Sequence, residues 1–183
     1  MTDLTLLGIS GSLRAGSTNT LLAKEAARRF GASAFALADI RFPVFDADEH
    51  DAEGIPPAVQ AVADQIANAD AVVVATPEYN KGISGVLKNA LDWISRTEGN
   101  PWFHKPVAIV SAAAGRAGGE RSQNMTRLCL TPFRPRLLTG PEVMIAATGD
   151  QWDENGHLIN EFGIKLLDEL MDELRTEAIR MKT

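Results

Sequence analysis

Ala71-Val72-Val73-Val74-Ala75 is an apolar run with no polar break. A half-exposed strand alternates apolar and polar residues, and a surface helix repeats them every three or four. A short unbroken run instead reads as a strand buried on both faces, the condition of a parallel sheet with helices on either side. Val107-Ala108-Ile109-Val110, within 106–111, has the same character. Leu4 to Ile9 reads as a first strand. Ser33 to Ile40 reads as a second, with Phe35 and Leu37 alternating against Ala34 and Ala36, and Glu142 to Ala146 as a fifth.

Between these runs the pattern changes to helical spacing. Thr20–Phe30 carries Leu21, Leu22, Ala26 and Phe30 near one face, with Gly31 placed as a C-cap. Pro56 and Pro57 open a helix to Asn68 with Val59, Val62 and Ile66 inward. Further helices are predicted around Val86–Ile94, over Arg121–Leu130 with Met125, Leu128 and Cys129 inward, and over Asn160–Met181. Residues 41–54 read as a loop, solvated over its acidic stretch from Asp46 to Glu53, with Phe42, Pro43, Val44 and Phe45 embedded in it either as a plug at the core edge, the favoured reading, or as part of an interface. Strands alternating with helices predict a doubly wound α/β fold, a flavodoxin-like five-stranded parallel sheet of order 2-1-3-4-5. The 183 residues suit one domain, 1–183.

Composition narrows the function. The net charge of −6 argues against a nucleic-acid surface, which needs a basic face. No apolar run approaches a membrane span. Cys129 is the sole cysteine, and the three histidines, His50, His104 and His157, lie far apart, so no metal site is expected. A strand is reached within a few residues of Met1, so no signal peptide is expected, and a reducing, cytoplasmic setting fits the cysteine usage.

The chemistry is expected in the loops after strands 1, 3 and 4, because ligands in such sheets bind outside the strand carboxyl ends at the switch point between strands 1 and 3. Gly8-Ile9-Ser10-Gly11-Ser12-Leu13-Arg14-Ala15-Gly16-Ser17-Thr18-Asn19 joins a strand to a helix. Free N–H groups and the positive helix end there favour an anion. The loop lacks the Gly-Lys-Ser/Thr of a nucleotide-triphosphate loop, and its glycine spacing differs from the dinucleotide fingerprint. A hydroxyl-rich loop of this kind suits a terminal phosphate monoester, although its Ser, Thr and Asn also serve simply as helix caps. Thr76-Pro77-Glu78-Tyr79-Asn80-Lys81-Gly82-Ile83-Ser84-Gly85 offers a wall for a planar heterocycle, or reads as an ordinary turn.

These two stretches, with Gly-Val-Leu-Lys-Asn-Ala-Leu-Asp-Trp at 85–93, resemble the NAD(P)H-dependent FMN reductase family of flavodoxin-like quinone, chromate and azo reductases. The resemblance runs through strands 1 to 4. It implies an FMN phosphate on Ser10, Ser12, Arg14, Ser17, Thr18 and Asn19, with Pro77, Glu78, Tyr79 and Asn80 along the ring and ribityl chain. Ser111, Ala113, Gly115 and Arg116 would meet the other ring edge, although Ala112, Ala113 and Ala114 depart from the family's glycine-rich pattern. Arg116 equally reads as a surface arginine, and Lys81 receives no role. The resemblance further implies NADPH or NADH as co-substrate, a small acceptor such as a quinone or flavin, and no catalytic side chain, since the flavin carries the chemistry. It implies a homodimer or homotetramer, with Trp93, Trp102, Phe103 and Phe133 as interface candidates and Asp92 spaced to pair with Arg96. An electron carrier of the flavodoxin type, without a pyridine nucleotide site, is the alternative.

Overall fold

The computed structural model describes residues 3–182. Strand β1 (Thr5–Ser10) leads to helix α1 (Thr18–Phe30), and β2 (Ala34–Leu37) to α2 (Ala47–Glu53) and α3 (Pro57–Asn68). Then come β3 (Ala71–Thr76), α4 (Gly85–Ile94), β4 (Pro106–Ala112), α5 (Glu120–Leu130), β5 (Arg136–Leu137), β6 (Val143–Ile145) and α6 (Glu161–Lys182). All pairings are parallel and the order is β2-β1-β3-β4-β5, with β6 also on β4. The expected order 2-1-3-4-5 is therefore present.

The fifth position departs from the expectation of one strand. Arg136 and Leu137 pair with Pro106 and Val107, while Val143 to Ile145 pair with Val110 to Ala112. Pro141 lies in the gap and has no N–H to give to a ladder, so one edge position is shared by two short strands. The acidic stretch after Asp46 also differs, because it winds into α2. The Asp46 carboxylate accepts from the Asp48 N–H at 2.8 Å, and Asp48 and Glu49 suit a helix N-terminus. No residue of α2 is buried, so apolar periodicity gave it no signature.

Two cores flank the sheet. Leu4, Leu6, Leu22, Phe30, Val73, Leu170 and Leu174 meet on the α1/α6 side, and Leu7, Ile9, Val59, Ile66, Val72, Leu87 and Trp93 on the α3/α4 side. Trp93 and Trp102 lie in this second core rather than at a subunit surface. The Trp93 indole N–H donates to the Pro43 carbonyl at 2.8 Å, and Phe45 meets its ring edge-on at 5.0 Å, so Phe45, with Phe42, does plug the core edge, whereas Val44 points to solvent. Asp92 takes Lys88 as its partner at 2.6 Å, while the Arg96 guanidinium lies over the Phe45 ring, so the Asp92–Arg96 pair is not formed. On α1 the buried Glu25 carboxylate is held by Arg28 and Arg29, and Arg29 reaches Asp168 on α6 at 2.6 Å.

Helix α5 is rotated from the expected face: of Met125, Leu128 and Cys129, only Cys129 packs against the core. Ser122, Gln123, Thr126 and Leu130 are buried, whereas Leu128 is 71% and Met125 40% exposed. The Gln123 amide donates to Ser111 Oγ at 2.9 Å and to the Val143 carbonyl at 2.8 Å. Buried polar groups must be satisfied, and this requirement outweighs the apolar pattern of the helix.

At the opposite sheet end, Asp70 accepts from the Thr5 N–H at 2.7 Å and the Thr5 hydroxyl at 3.0 Å, and pairs with Lys182 at 2.9 Å. Burial pushes its carboxyl upward, but these hydrogen bonds and the Lys182 charge outweigh that and hold it below the ordinary carboxylate value. A group depressed on folding contributes stability above its unfolded value of ~4 and loses it as pH falls through the folded value. Urea midpoints of the wild type and Asp70→Asn should therefore differ at pH 6, begin to converge as the pH falls below about 4, and meet once it is below the folded value. A gap that persists under acid would show that the carboxylate charge is not what stabilises.

Candidate functional site

The loops after β1, β3 and β4 meet at the carboxyl ends of those strands. The 10–19 loop is fastened first. The Gly11 N–H donates to the Ala75 carbonyl at 2.8 Å, and Ser84 Oγ donates to the Gly11 carbonyl at 2.7 Å. A Cβ at Gly11 would stand 2.9 Å from Pro77 Cδ, so only glycine lets the first loop approach the loop after β3 this closely.

Ser17 caps α1, its hydroxyl accepting from the Thr20 N–H at 3.2 Å. The N–H groups of Thr18 and Asn19, in the first turn, have no acceptor among the described residues. The Arg14 side chain is exposed and makes no ion pair among the described residues. Unsatisfied donors at a helix start beside a free guanidinium form an anion cradle, and the residues present fit a phosphate monoester.

A cavity of about 200 Å³ opens on this cradle. It is lined by Ser12, Arg14, Ser17, Thr18, Asn19, Pro77, Glu78, Tyr79, Ala112, Ala113, Ala114 and Thr148. Nine of these are residues the sequence pointed to as cofactor ligands. A second cavity of about 400 Å³ shares Ser12, Arg14 and Tyr79.

The loop after β3 is shaped by a tight turn. Tyr79 and Gly82 exchange N–H···O bonds at 3.1 and 2.9 Å, and the residues between, Asn80 and Lys81, have φ of 48° and 66°. Both central residues are left-handed, as in a type I′ turn, which suits Asn80 and strains Lys81. The Glu78 carboxylate points back and accepts from the Arg121 N–H at 3.1 Å, with the Arg121 guanidinium 3.8 Å away. Glu78 thus tethers the loop to α5.

The third loop is tied down at its start, at Ala113. The Ala113 N–H donates to the Ile145 carbonyl at 3.0 Å, and the Ala113 carbonyl accepts from the Thr148 N–H at 3.3 Å. The N–H groups of Ala114, Gly115 and Arg116 have no acceptor among the described residues. They are the donors this loop can offer to a ligand.

Five of the expected residues lie outside the cavity lining: Ser10, Asn80, Ser111, Gly115 and Arg116. Ser10 Oγ accepts from the Thr20 hydroxyl at 2.9 Å. Ser111 is fully buried and donates to the Gly118 carbonyl at 2.7 Å, which holds the third loop from beneath. Gly115 and Arg116 lie exposed on the rim. Asn19 lines the cavity, but its amide is committed to β4, donating to the Ala112 carbonyl at 2.8 Å and accepting from the Ala112 N–H at 3.0 Å. It therefore has only its backbone N–H for a ligand. Thr148 escaped the sequence reading. It belongs to a polar loop after β6, and the only hint in the chain is Trp152 four residues on, whose indole donates to Thr148 Oγ1 at 3.0 Å.

A doubly wound sheet with a phosphate cradle after its first strand and a flat-walled slot between the next two loops defines a binder of a phosphorylated planar cofactor. Comparison with known proteins gives the class its name. Residues 4–150 match the family described as NADPH-dependent FMN reductase, and this chain belongs to that family. It is 40% identical to an NAD(P)H-dependent FMN reductase of Pseudomonas aeruginosa, over 98% of each chain. It is 38% identical to a quinone reductase of Escherichia coli K12, over 86% of each. Among solved structures it is similar to FerB, a flavoenzyme NAD(P)H:(acceptor) oxidoreductase of Paracoccus denitrificans, with a TM-score of 0.85 at 28% identity, covering 97% of this chain and 98% of that one. Among the described residues no helix is long and apolar enough to cross a membrane.

Proposed function

We propose that this chain is an NAD(P)H-dependent reductase that holds FMN between the three loops and delivers two electrons to a quinone, a flavin or a related small acceptor. The observation that carries this reading is the cradle: two helix-start N–H groups without acceptors and an Arg14 without an ion-pair partner among the described residues, opening on a slot between Pro77–Tyr79 and Ala112–Ala114. Ser12, Ser17 and Thr18 hydroxyls, the N–H groups of Thr18 and Asn19, and the Arg14 guanidinium hold the phosphate. Ser10 supports this loop through Thr20. Pro77, Glu78 and Tyr79 form one wall, with Asn80 beyond its end in the turn. Ala113 forms the other, with Gly115 and Arg116 at its rim, on a loop that Ser111 anchors.

When bound, FMN supplies the two-electron chemistry. The chain's own task is to bind, orient and polarise. The N–H groups of Ala114, Gly115 and Arg116 favour negative charge at the ring edge, as fixed donors stabilise charge where it develops. The small side chains of Ala112 to Ala114 let that wall come close. NADPH and NADH both remain open as donors, and no side-chain acid or base is assigned. Residues 1–183 form one FMN-binding domain, supported by the single sheet with helices on both faces. A homodimer or homotetramer is supported by the exposed apolar side chains Phe103, Leu128 and Phe162, and a cytoplasmic setting by the lone, unpaired Cys129.

The test is the absorption spectrum of the FMN-loaded protein under anaerobic conditions, before and after NADPH. The flavin bands should bleach within seconds and return on adding a quinone. Bound flavin that stays oxidised would replace the reductase with a flavodoxin-type electron carrier.

A further inference from the structure

The turn that walls the slot is held by a sulfur atom. The Ile83 N–H donates to Met125 Sδ at 3.4 Å, and a Cβ at Gly82 would lie 3.2 Å from the same sulfur. Met125 stands on the outward face of α5, one turn beyond Arg121, whose N–H holds Glu78. The helix therefore grips the 78–83 segment at two points, by a carboxylate at one end and a thioether at the other. Between them lie Asn80 and Lys81, both left-handed. Such strain persists only while its surroundings enforce it.

Met125 is also open to solvent, at 40% exposure. A partly exposed thioether is oxidised by peroxides. The sulfur attacks the O–O bond, a sulfur–oxygen bond forms, the O–O bond breaks and water leaves. The sulfur loses two electrons and the peroxide gains them. At Met125 the new oxygen enlarges the thioether that Gly82 and the Ile83 N–H pack against and draws on the sulfur lone pairs that accept from that N–H, and the side chain becomes polar. These effects push the turn away from α5.

We propose that Met125 is the positioning residue that latches the 79–82 turn, and that its oxidation to the sulfoxide by hydrogen peroxide releases the turn and weakens cofactor binding. The cofactor part rests on the FMN reading above. The latch part does not.

Lys81, exposed at the turn tip, reports on the latch without any cofactor. Full-length protein is treated with hydrogen peroxide, the oxidised methionines are mapped by mass spectrometry, and the trypsin cutting rate after Lys81 is followed together with FMN affinity. Oxidation of Met125 should raise cutting after Lys81 and the FMN Kd each by about fivefold or more. Both changes should reverse with methionine sulfoxide reductase. Met125→Leu has no sulfur to oxidise, so whatever its starting cutting rate and FMN affinity, peroxide should change neither, whereas Met181→Leu, at an exposed methionine on α6, should respond like the wild type. Thermal unfolding by circular dichroism, measured alongside, should stay constant, since Met125 is outside both cores. Met125 sulfoxide with unchanged cutting after Lys81 overturns the proposal, and so does an equal response in Met125→Leu. Increased cutting with unchanged FMN affinity supports the latch and overturns the placement of FMN against this turn.

Discussion

Arg14→Ala is expected to bind FMN about 10- to 100-fold more weakly than the wild type. A phosphate monoester carries nearly two negative charges at neutral pH. The cradle offers it N–H and hydroxyl dipoles, and the only full positive charge in the cavity lining is the Arg14 guanidinium. The side chain makes no ion pair among the described residues, so removing it frees no buried partner and should leave the melting temperature of the FMN-free protein unchanged. Fluorescence titration of FMN at two salt concentrations reads the effect. The wild type should lose affinity with salt more steeply than Arg14→Ala, because a solvent-facing charge pair is screened. Riboflavin, which lacks the phosphate, should bind both proteins equally. An unchanged FMN Kd in Arg14→Ala would place the phosphate elsewhere.

Gly119→Ala is expected to destabilise the fold by about 3 kcal/mol or more. Gly119 has a φ of 100°, and a Cβ there would lie 2.7 Å from Ser111 Cβ and 2.8 Å from its Oγ. Neither can yield easily, since Ser111 is fully buried on β4 and bonded to both Gly118 and Gln123. The new methyl thus adds a left-handed conformational cost to a clash with the base of the third loop. Urea unfolding followed by circular dichroism measures the loss. Gly149→Ala, in the turn after β6, meets nothing within 4 Å and is the matched control. If Gly119→Ala unfolds at the wild-type midpoint, the α5 start and the 113–118 loop are not packed against Ser111 as described.

Much of this site was legible in the chain because its signals are local. The Gly8–Asn19 loop needs glycine at close approaches and capping hydroxyls at a helix start, and those demands appear as residue types at fixed spacing. The buried runs at 71–75 and 107–110 announced a parallel sheet for the same reason, since a strand covered on both faces has no polar side to show. Helix α2 was hidden because it buries nothing, and the divided fifth strand because two and three residues are too few to set a pattern.

The sequence by itself determined the sheet, its strand order, and the two loops that bracket the slot. Tertiary structure alone decided how side chains with several hydrogen-bonding options spend them. Asn19 could have faced a ligand, but its amide matches the Ala112 N–H and carbonyl on β4 and is consumed there. The rotation of α5 was decided in the same way. Apolar spacing would have turned Met125 and Leu128 inward. Buried acceptors at Ser111 and Val143 needed the Gln123 amide, and an unmet buried acceptor costs more than an exposed leucine. Turning Gln123 inward set Met125 against Gly82 and Ile83, a contact between residues some forty positions apart that no local pattern encodes.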